Sequence, residues 1–372
     1  MSDRILVGTR KGLFQLTRNS RGAANWRIGP PQFLGDPVTA ALKDSRDGTM
    51  YAALNLGHFG VKMRRSKNDG KTWQEIAVPA YPPQPEAPTA EPDPVTGRGP
   101  APWKLVQVWV LETGKPRELW AGTIPGGLFR SSDCGDSWSL VESLWRRPER
   151  EAWMGGGYDY AGIHSICVDP SDHQRVTLGV STGGVWKTLD AGATWALGGP
   201  GMYAEYMPPA QRDNPLVQDV HRLAQCPARP EVIWAQHHNG VFRSTDAAAH
   251  WREVKAITPS KFGFAVAVHP TDPDTAWFVP AVKDECRVPV SGKLVVARTR
   301  DGGKTFKALA RGLPQKHAYD LVYRHGLAVD ETGKRLVIGS TTGGLWISEN
   351  QGDSWACIST QLPPVFCVRF AR

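Results

Sequence analysis

No stretch of this 372-residue chain approaches the ~18 consecutive apolar residues of a membrane-spanning helix. The opening, MSDRILVGTRKGLF, places Asp3 almost at once and enters a strand pattern by Ile5, so the apolar segment of a secretory leader is missing. Both absences lead to the expectation of a cytoplasmic protein without a membrane partner. Cysteine is sparse: there are six and no CxxC pair, and Cys167, Cys226 and Cys367 fall inside apolar strands, as buried free thiols of a reducing compartment would. No GxSxG elbow offers an activated serine. Basic residues outnumber acidic ones by 44 to 36, giving +8, yet they come as pairs such as Arg64-Arg65 and Arg146-Arg147. Without a long basic run or an aromatic-flanked stripe, nucleic acid is not an expected partner; the charge favours anionic ligands only weakly.

What the chain has instead is repetition. The octapeptide SSDCGDSW at 131–138 returns as SKNDGKTW (66–73), TLDAGATW (188–195), STDAAAHW (244–251), TRDGGKTF (299–306) and SENQGDSW (348–355), with a worn copy ending at Trp26. Its chemistry is that of a hairpin. A hydroxyl residue ends one strand, Asp or Asn hydrogen-bonds the backbone beyond it, Gly takes the positive φ, and the aromatic anchors the next strand in the core. Short apolar runs led by Gly12, Gly60, Gly127, Gly184, Gly240 and Gly344 feed the copies, and KLVVAR feeds the sixth. A period of roughly 50 residues with four strand signals per unit describes a propeller blade.

These octapeptides resemble the Asp-box (BNR) repeat, and nearly the whole chain resembles the sialidase-superfamily propellers. That resemblance implies an all-β fold, a seven-bladed β-propeller of four-stranded antiparallel blades, forming a single domain over residues 1–372. The N-terminus supplies only three strands, so the C-terminal strand VFCVRF is expected to complete blade one and close the ring. Inner strands are expected near 38–44, 105–112, 164–170, 221–227, 264–270 and 325–331. Long segments, among them a Pro-rich insertion at 79–102, all land on the face opposite the octapeptides, and elaborated loops on one face mark a binding face.

Histidines gather on that face. His164, His221 and His325 open the inner strands of blades four, five and seven, while His58, His237 and His238 sit on loops between second and third strands. Neutral imidazoles converging on an axis suit a divalent metal ion; alternatively each fills a strand start and bonds a neighbouring carbonyl. Asp159, Asp219, Asp284, Asp320 and Glu205 are near in sequence as ligands or as acid and base. Tyr160 follows a glycine-rich stretch that could approach a ligand closely, and Arg10, Lys283 and Arg324 could hold an anion.

For a true sialidase the resemblance would require an early Arg-Ile-Pro, but Arg4-Ile5 is followed by Leu6. The expectation is therefore an enzyme of hydrolase or lyase class, with His164, His221, His325 and an acidic residue acting on a small polar or anionic substrate. Two alternatives stand beside it. One is a non-catalytic module docking a protein partner on the loop-rich face. The other is a glycoside hydrolase with paired carboxylates ~5.5 or ~6.5–9.5 Å apart.

Overall fold

Seven four-stranded antiparallel sheets form the ring in a computed structural model that describes residues 2–371 except 21, 23, 24, 86–100, 156 and 157. Most of the Pro-rich insertion lies outside the described residues. Closure occurs where the sequence places it. Val365–Ala371 pairs antiparallel with Arg4–Thr9, setting Val7 opposite Val368, and becomes the inner strand of blade one ahead of Gly12–Arg18 and Trp26–Ile28. The other inner strands are Val38–Lys43, Gln107–Thr113, Ile163–Val168, Val220–Cys226, Gly263–Val268 and Leu327–Val329. Only the last departs much from expectation: His325 precedes its strand and meets Cys367 in an isolated parallel bridge, which ties blade seven to blade one.

The core lies between blades, because a sheet with both faces covered must bury both. One cluster joins Trp120 and Val110 of blade three to Ile163, Leu178 and Trp186 of blade four, and another joins Trp277 and Val296 of blade six to Leu336, Ile338 and Trp346 of blade seven. Trp120, Trp186, Trp234 and Trp277 are fully buried anchors of these layers. All six cysteines are free, and Cys167, Cys226 and Cys367 are buried as expected. Among the described residues no helix is long and apolar enough to cross a membrane.

The octapeptide hairpin has a repeated hydrogen-bond network. At 131–138 the Ser131 hydroxyl donates to Asp133 Oδ1 (2.8 Å) and accepts from the Gly135 amide (2.8 Å), while Asp133 accepts from the amide (2.9 Å) and hydroxyl (2.6 Å) of Ser137. Equivalent contacts recur around Ser66, Thr188, Ser244, Thr299 and Ser348. The hydrogen bonds from Ser137, Thr194 and Thr305 favour the ionised carboxylates and hold Asp133, Asp190 and Asp301 at about 2. Two successive residues, not Gly alone, take positive φ: Cys134 and Gly135 at 64° and 88°, and even Ala247 and Ala248 at 55° and 61° in the copy without glycine. The network outweighs the local cost of αL alanines.

Ser131→Ala leaves the buried Gly135 amide without its acceptor, and is expected to lower unfolding free energy by about 1–3 kcal/mol in urea titration. Ser137→Ala, on the exposed side of the same turn, should cause a smaller loss. Equal losses at both positions would contradict the assignment of the buried hydroxyl as the keystone of the turn.

Candidate functional site

Inner strands run from the loop-rich face into the ring, so their first residues collect at the channel mouth. A second feature aims them. The pairing of inner to second strand slips by one residue between Val38 and Ala40, Val108 and Val110, Ile163 and Ser165, and Val220 and Arg222. Blade six slips between Gly263 and Val266, and blade one between Cys367 and Val365. The residues left out of register are Thr39, Trp109, His164, His221, Phe264 (with Ala265) and Phe366. A bulge bends the strand and redirects its side chain, and here six blades bulge at one level.

Three of the out-of-register residues, Thr39, Trp109 and Phe366, line a cavity of about 160 Å³. Thr39, Gln107, Trp109, His325 and Phe366 come from the inner strands and their approaches, and Tyr158, Arg287, Tyr323 and Arg324 come from the loops. Its lining holds two guanidinium groups, four aromatic rings and no carboxylate among the described residues. The Arg324 guanidinium lies 5.0 Å from the Trp109 ring and 5.3 Å from Phe264, and Arg287 lies 5.4 Å from Phe264, so one ring is shared by both cations. A second cavity of about 530 Å³ shares Thr39, Gln107 and Phe366 and continues past Asp36 and Asn55 to Arg10 and Phe59. Phe59 is 72% exposed, with the His58 ring 3.9 Å away. The two together make a groove across the mouth. The channel below reaches up to Thr39, Trp109 and His325, which stand at both levels.

The three equivalent histidines divide between two groups. His325 donates from Nε2 to the His164 carbonyl at 2.8 Å, and the His164 ring meets Ser165 Oγ at 2.9 Å and the edge of Trp109. Burial drives both well below the ordinary histidine value, with the charge of Arg324 adding to it at His164 and that of Arg222 at His325. His221 belongs elsewhere. Its Nδ1 lies 2.6 Å from the Gly263 carbonyl, its ring stacks on Phe264 at 4.4 Å, and its Nε2 faces Asp219 Oδ2 at 3.6 Å. His238 Nδ1 lies 3.4 Å from the same oxygen. Asp219, His221 and His238 are the one group among the described residues with three metal-capable atoms within 4.8 Å of one another.

Electrostatics separates the members. Burial would raise the Asp219 carboxyl, but His221, His238 and Arg324 outweigh it and hold it well below the usual range. Burial lowers His221 despite Asp219; at His238, less enclosed, desolvation is the largest single effect, but the interaction with Asp219 and the charge of Asp284 together outweigh it and raise the ring. His237 is fully buried and accepts the Asn239 amide at Nδ1, and burial lowers it to about 3.

Other expected residues fall at the periphery. Asp320 accepts from the Ser340 and Thr342 hydroxyls, Glu205 contacts Lys261 and Asn239, and Asp284 is paired with Arg287 at 2.6 Å. Lys283 is exposed beside Glu285, Asp159 is exposed and Tyr160 half-buried. Arg287 belongs to the charged loop expected to hold an anion, whereas nothing in the sequence marked Trp109, Tyr323 and Phe366 as site residues. The alternation of apolar residues in inner strands gives Trp109 and Phe366 a core role, and only the bulges turn them into the mouth.

No known family profile matches the chain. It is similar to the "Probable oligoxyloglucan-reducing end-specific xyloglucanase" of Neosartorya fischeri, at 25% identity over 277 residues, covering 65% of this chain and 30% of that protein. In structure it resembles the GH74 xyloglucanase of Xanthomonas campestris (TM-score 0.64, 18% identity, 96% of this chain and 53% of the other). It also resembles YCF48 of Cyanidioschyzon merolae (TM-score 0.53, 11% identity, 87% and 84%). The structural likenesses establish the propeller. The chain spans less than a third of the length of the curated relative.

The depressed His237 makes acid stability a direct test. Its unfolded form takes a proton below the ordinary 6.5 while the folded form resists protonation down to about 3, so its contribution is complete above 6.5 and drains as pH falls across that window. Melting temperature should therefore fall between pH 6.5 and 4, and His237→Gln should flatten that slope. An unchanged slope in the variant would contradict a neutral buried imidazole. His238, raised, acts in the opposite sense: its pair with Asp219 stabilises most below 6.5 and fades as pH rises through its folded value.

Proposed function

We propose that the protein is a hydrolase acting on a carbohydrate that carries an anionic group, held in the groove at the mouth of the ring. The observation that carries this reading is the lining of the first cavity, where Arg324 and Arg287, the latter paired with Asp284, are interleaved with Trp109, Tyr158, Tyr323 and Phe366. Guanidinium groups bind carboxylate or phosphate through paired N–H donors, and flat aromatic faces suit the C–H faces of sugar rings. Stacking of each cation on Phe264 or Trp109 fixes its position before a ligand arrives, which reduces the ordering cost of binding.

The continuation toward Phe59 and Arg10 supports a substrate longer than one sugar residue. Similarity to a protein named as a xyloglucanase supports the glycan class and the hydrolytic reaction. Water activation is assigned to Asp219, His221 and His238. In this group the Asp219 carboxyl and the His221 ring are lowered and the His238 ring is raised, and Arg324, which lines the first cavity, bears electrostatically on Asp219. Paired carboxylates across the groove have less support, because Asp36, in the outer cavity, is the one carboxylate in the lining of either cavity among the described residues.

Hydrolysis of neutral and uronic-acid-containing oligosaccharides, followed by reducing-end release, tests the reading. Arg287→Ala should lower kcat/KM for the acidic substrates by about tenfold or more, the loss of one charge-assisted contact, and leave neutral substrates little changed. Phe59→Ala should raise KM for oligosaccharides and spare monosaccharide derivatives. Equal effects of Arg287→Ala on both charge classes, or no turnover and no saturable binding across the panel, would refute the proposal.

A further inference from the structure

The buried group of Asp219, His221 and His238 brings one carboxylate and two imidazoles together at spacings that fit a bound cation. His221 Nδ1 lies 2.6 Å from the Gly263 carbonyl oxygen, and because a carbonyl can only accept, Nδ1 carries the hydrogen. Its other nitrogen, Nε2, faces Asp219 Oδ2 at 3.6 Å, beyond hydrogen-bond distance, so a ring nitrogen and a carboxylate oxygen meet inside the protein without a direct bond between them.

A shared proton does not suit the spacing. Charge-assisted N–H···O contacts close to ~2.7–2.9 Å, whereas His221 stands at 3.6 Å and His238 at 3.4 Å from the same oxygen. These separations match the edge of a coordination polyhedron with ligand bonds of ~2.0–2.2 Å, about 3.3–3.6 Å. The carboxylate also has capacity to spare: Asp219 Oδ1 is buried and has no hydrogen-bond partner, an uncommon state for a carboxylate oxygen.

The surroundings fit a metal as well. Phe264 stacks on His221, Phe262 packs edge-on to His221 and His238 at 5.7 and 5.9 Å, and Tyr206 packs edge-on to His238 at 5.1 Å. The rings are thereby held in place and largely screened from water. The Gly263 carbonyl is the outer partner that a metal-bound imidazole needs on its second nitrogen, fixing tautomer and orientation. The set extends the sequence reading only in part, since it keeps His221 and replaces His164 and His325 with Asp219 and His238.

We infer that Asp219, His221 through Nε2 and His238 through Nδ1 bind one divalent transition-metal ion, zinc foremost, leaving at least one coordination position to water. Two imidazoles and one carboxylate select against calcium and magnesium, which take oxygen ligands. Three protein ligands with an open position are the donor count of catalytic zinc sites, where a bound water ionises near neutral pH. This deepens the proposed hydrolase by naming what activates its water, yet metal binding can be measured without any substrate.

Untagged protein stripped with chelator and titrated with Zn²⁺ by calorimetry, and with Co²⁺ by visible absorption, is the test. One equivalent of Zn²⁺ is expected, with Co²⁺ giving the ligand-field bands of a low-coordinate site. His238→Gln, at a side chain 22% exposed, should fold as judged by circular dichroism and bind about 100-fold more weakly. Asp219→Asn should do the same, and His58→Ala should leave binding unchanged. Folded wild-type protein that takes up neither ion at 100 μM added metal, roughly a Kd weaker than −5.5 kcal/mol, overturns the site. Undiminished affinity in folded His238→Gln overturns it equally. Metal-free protein that still hydrolyses acidic glycans refutes the metal's part in activating water, whereas stoichiometric metal without glycan turnover refutes the pocket reading alone.

Discussion

The pairing of Val365–Ala371 with Arg4–Thr9 is the constraint on which the rest depends, because it makes seven sheets a ring instead of a row. An open row would leave the inner edge of Arg4–Thr9 unpaired, a template for other chains. Closure also sets the radius at which the inner strands stand. Once that radius is fixed, residues from blades far apart along the chain are neighbours: the His325 ring reaches the His164 carbonyl 161 positions away. Every functional statement about the mouth is a statement about that closure.

Crowding at the narrow end gives the bulges their role. Six inner strands carry an extra residue at the same level, and a strand that gains one residue turns a side chain from the blade interface toward the axis. Apolar rings that would otherwise fill the core thereby become walls of a cavity. Trp109 and Phe366 are such walls, while Phe264 stays buried just behind them, with His221 stacked at 4.4 Å and the guanidinium groups of Arg287 and Arg324 at 5.4 and 5.3 Å. One ring couples the buried histidine group to the cationic pocket. At the opposite end of the blades, the repeated hydroxyl and carboxylate turns do the complementary work, holding hairpins rigid so that variation is confined to the other face.

The architecture was legible because it is written repeatedly. Each blade restates the same alternation of apolar residues, and the octapeptide marks the third-to-fourth strand turn so firmly that the copy with Ala247 and Ala248 still folds to it. Placement of His221, His238, Asp219, Arg324 and Arg10 on one face follows from strand direction alone. Partnership among them does not. Equivalence in the repeat suggested that His164, His221 and His325 act together, but side-chain contacts are decided by which neighbour has a carbonyl or carboxylate within reach. Gly263 offers a carbonyl to His221, while His164 lends its own to His325. Bulges leave no mark in composition or periodicity, so Trp109 and Phe366 read as core.

Placement of function at the loop-rich mouth is the central claim, and a crystal structure of the protein soaked with a uronic-acid-containing oligosaccharide tests it most directly. The account predicts density for the ligand carboxylate between Arg287 and Arg324, with the sugar chain running past Phe366 toward Phe59. Density confined to the octapeptide face, or to the channel end beyond Arg222 and Arg369, would contradict it.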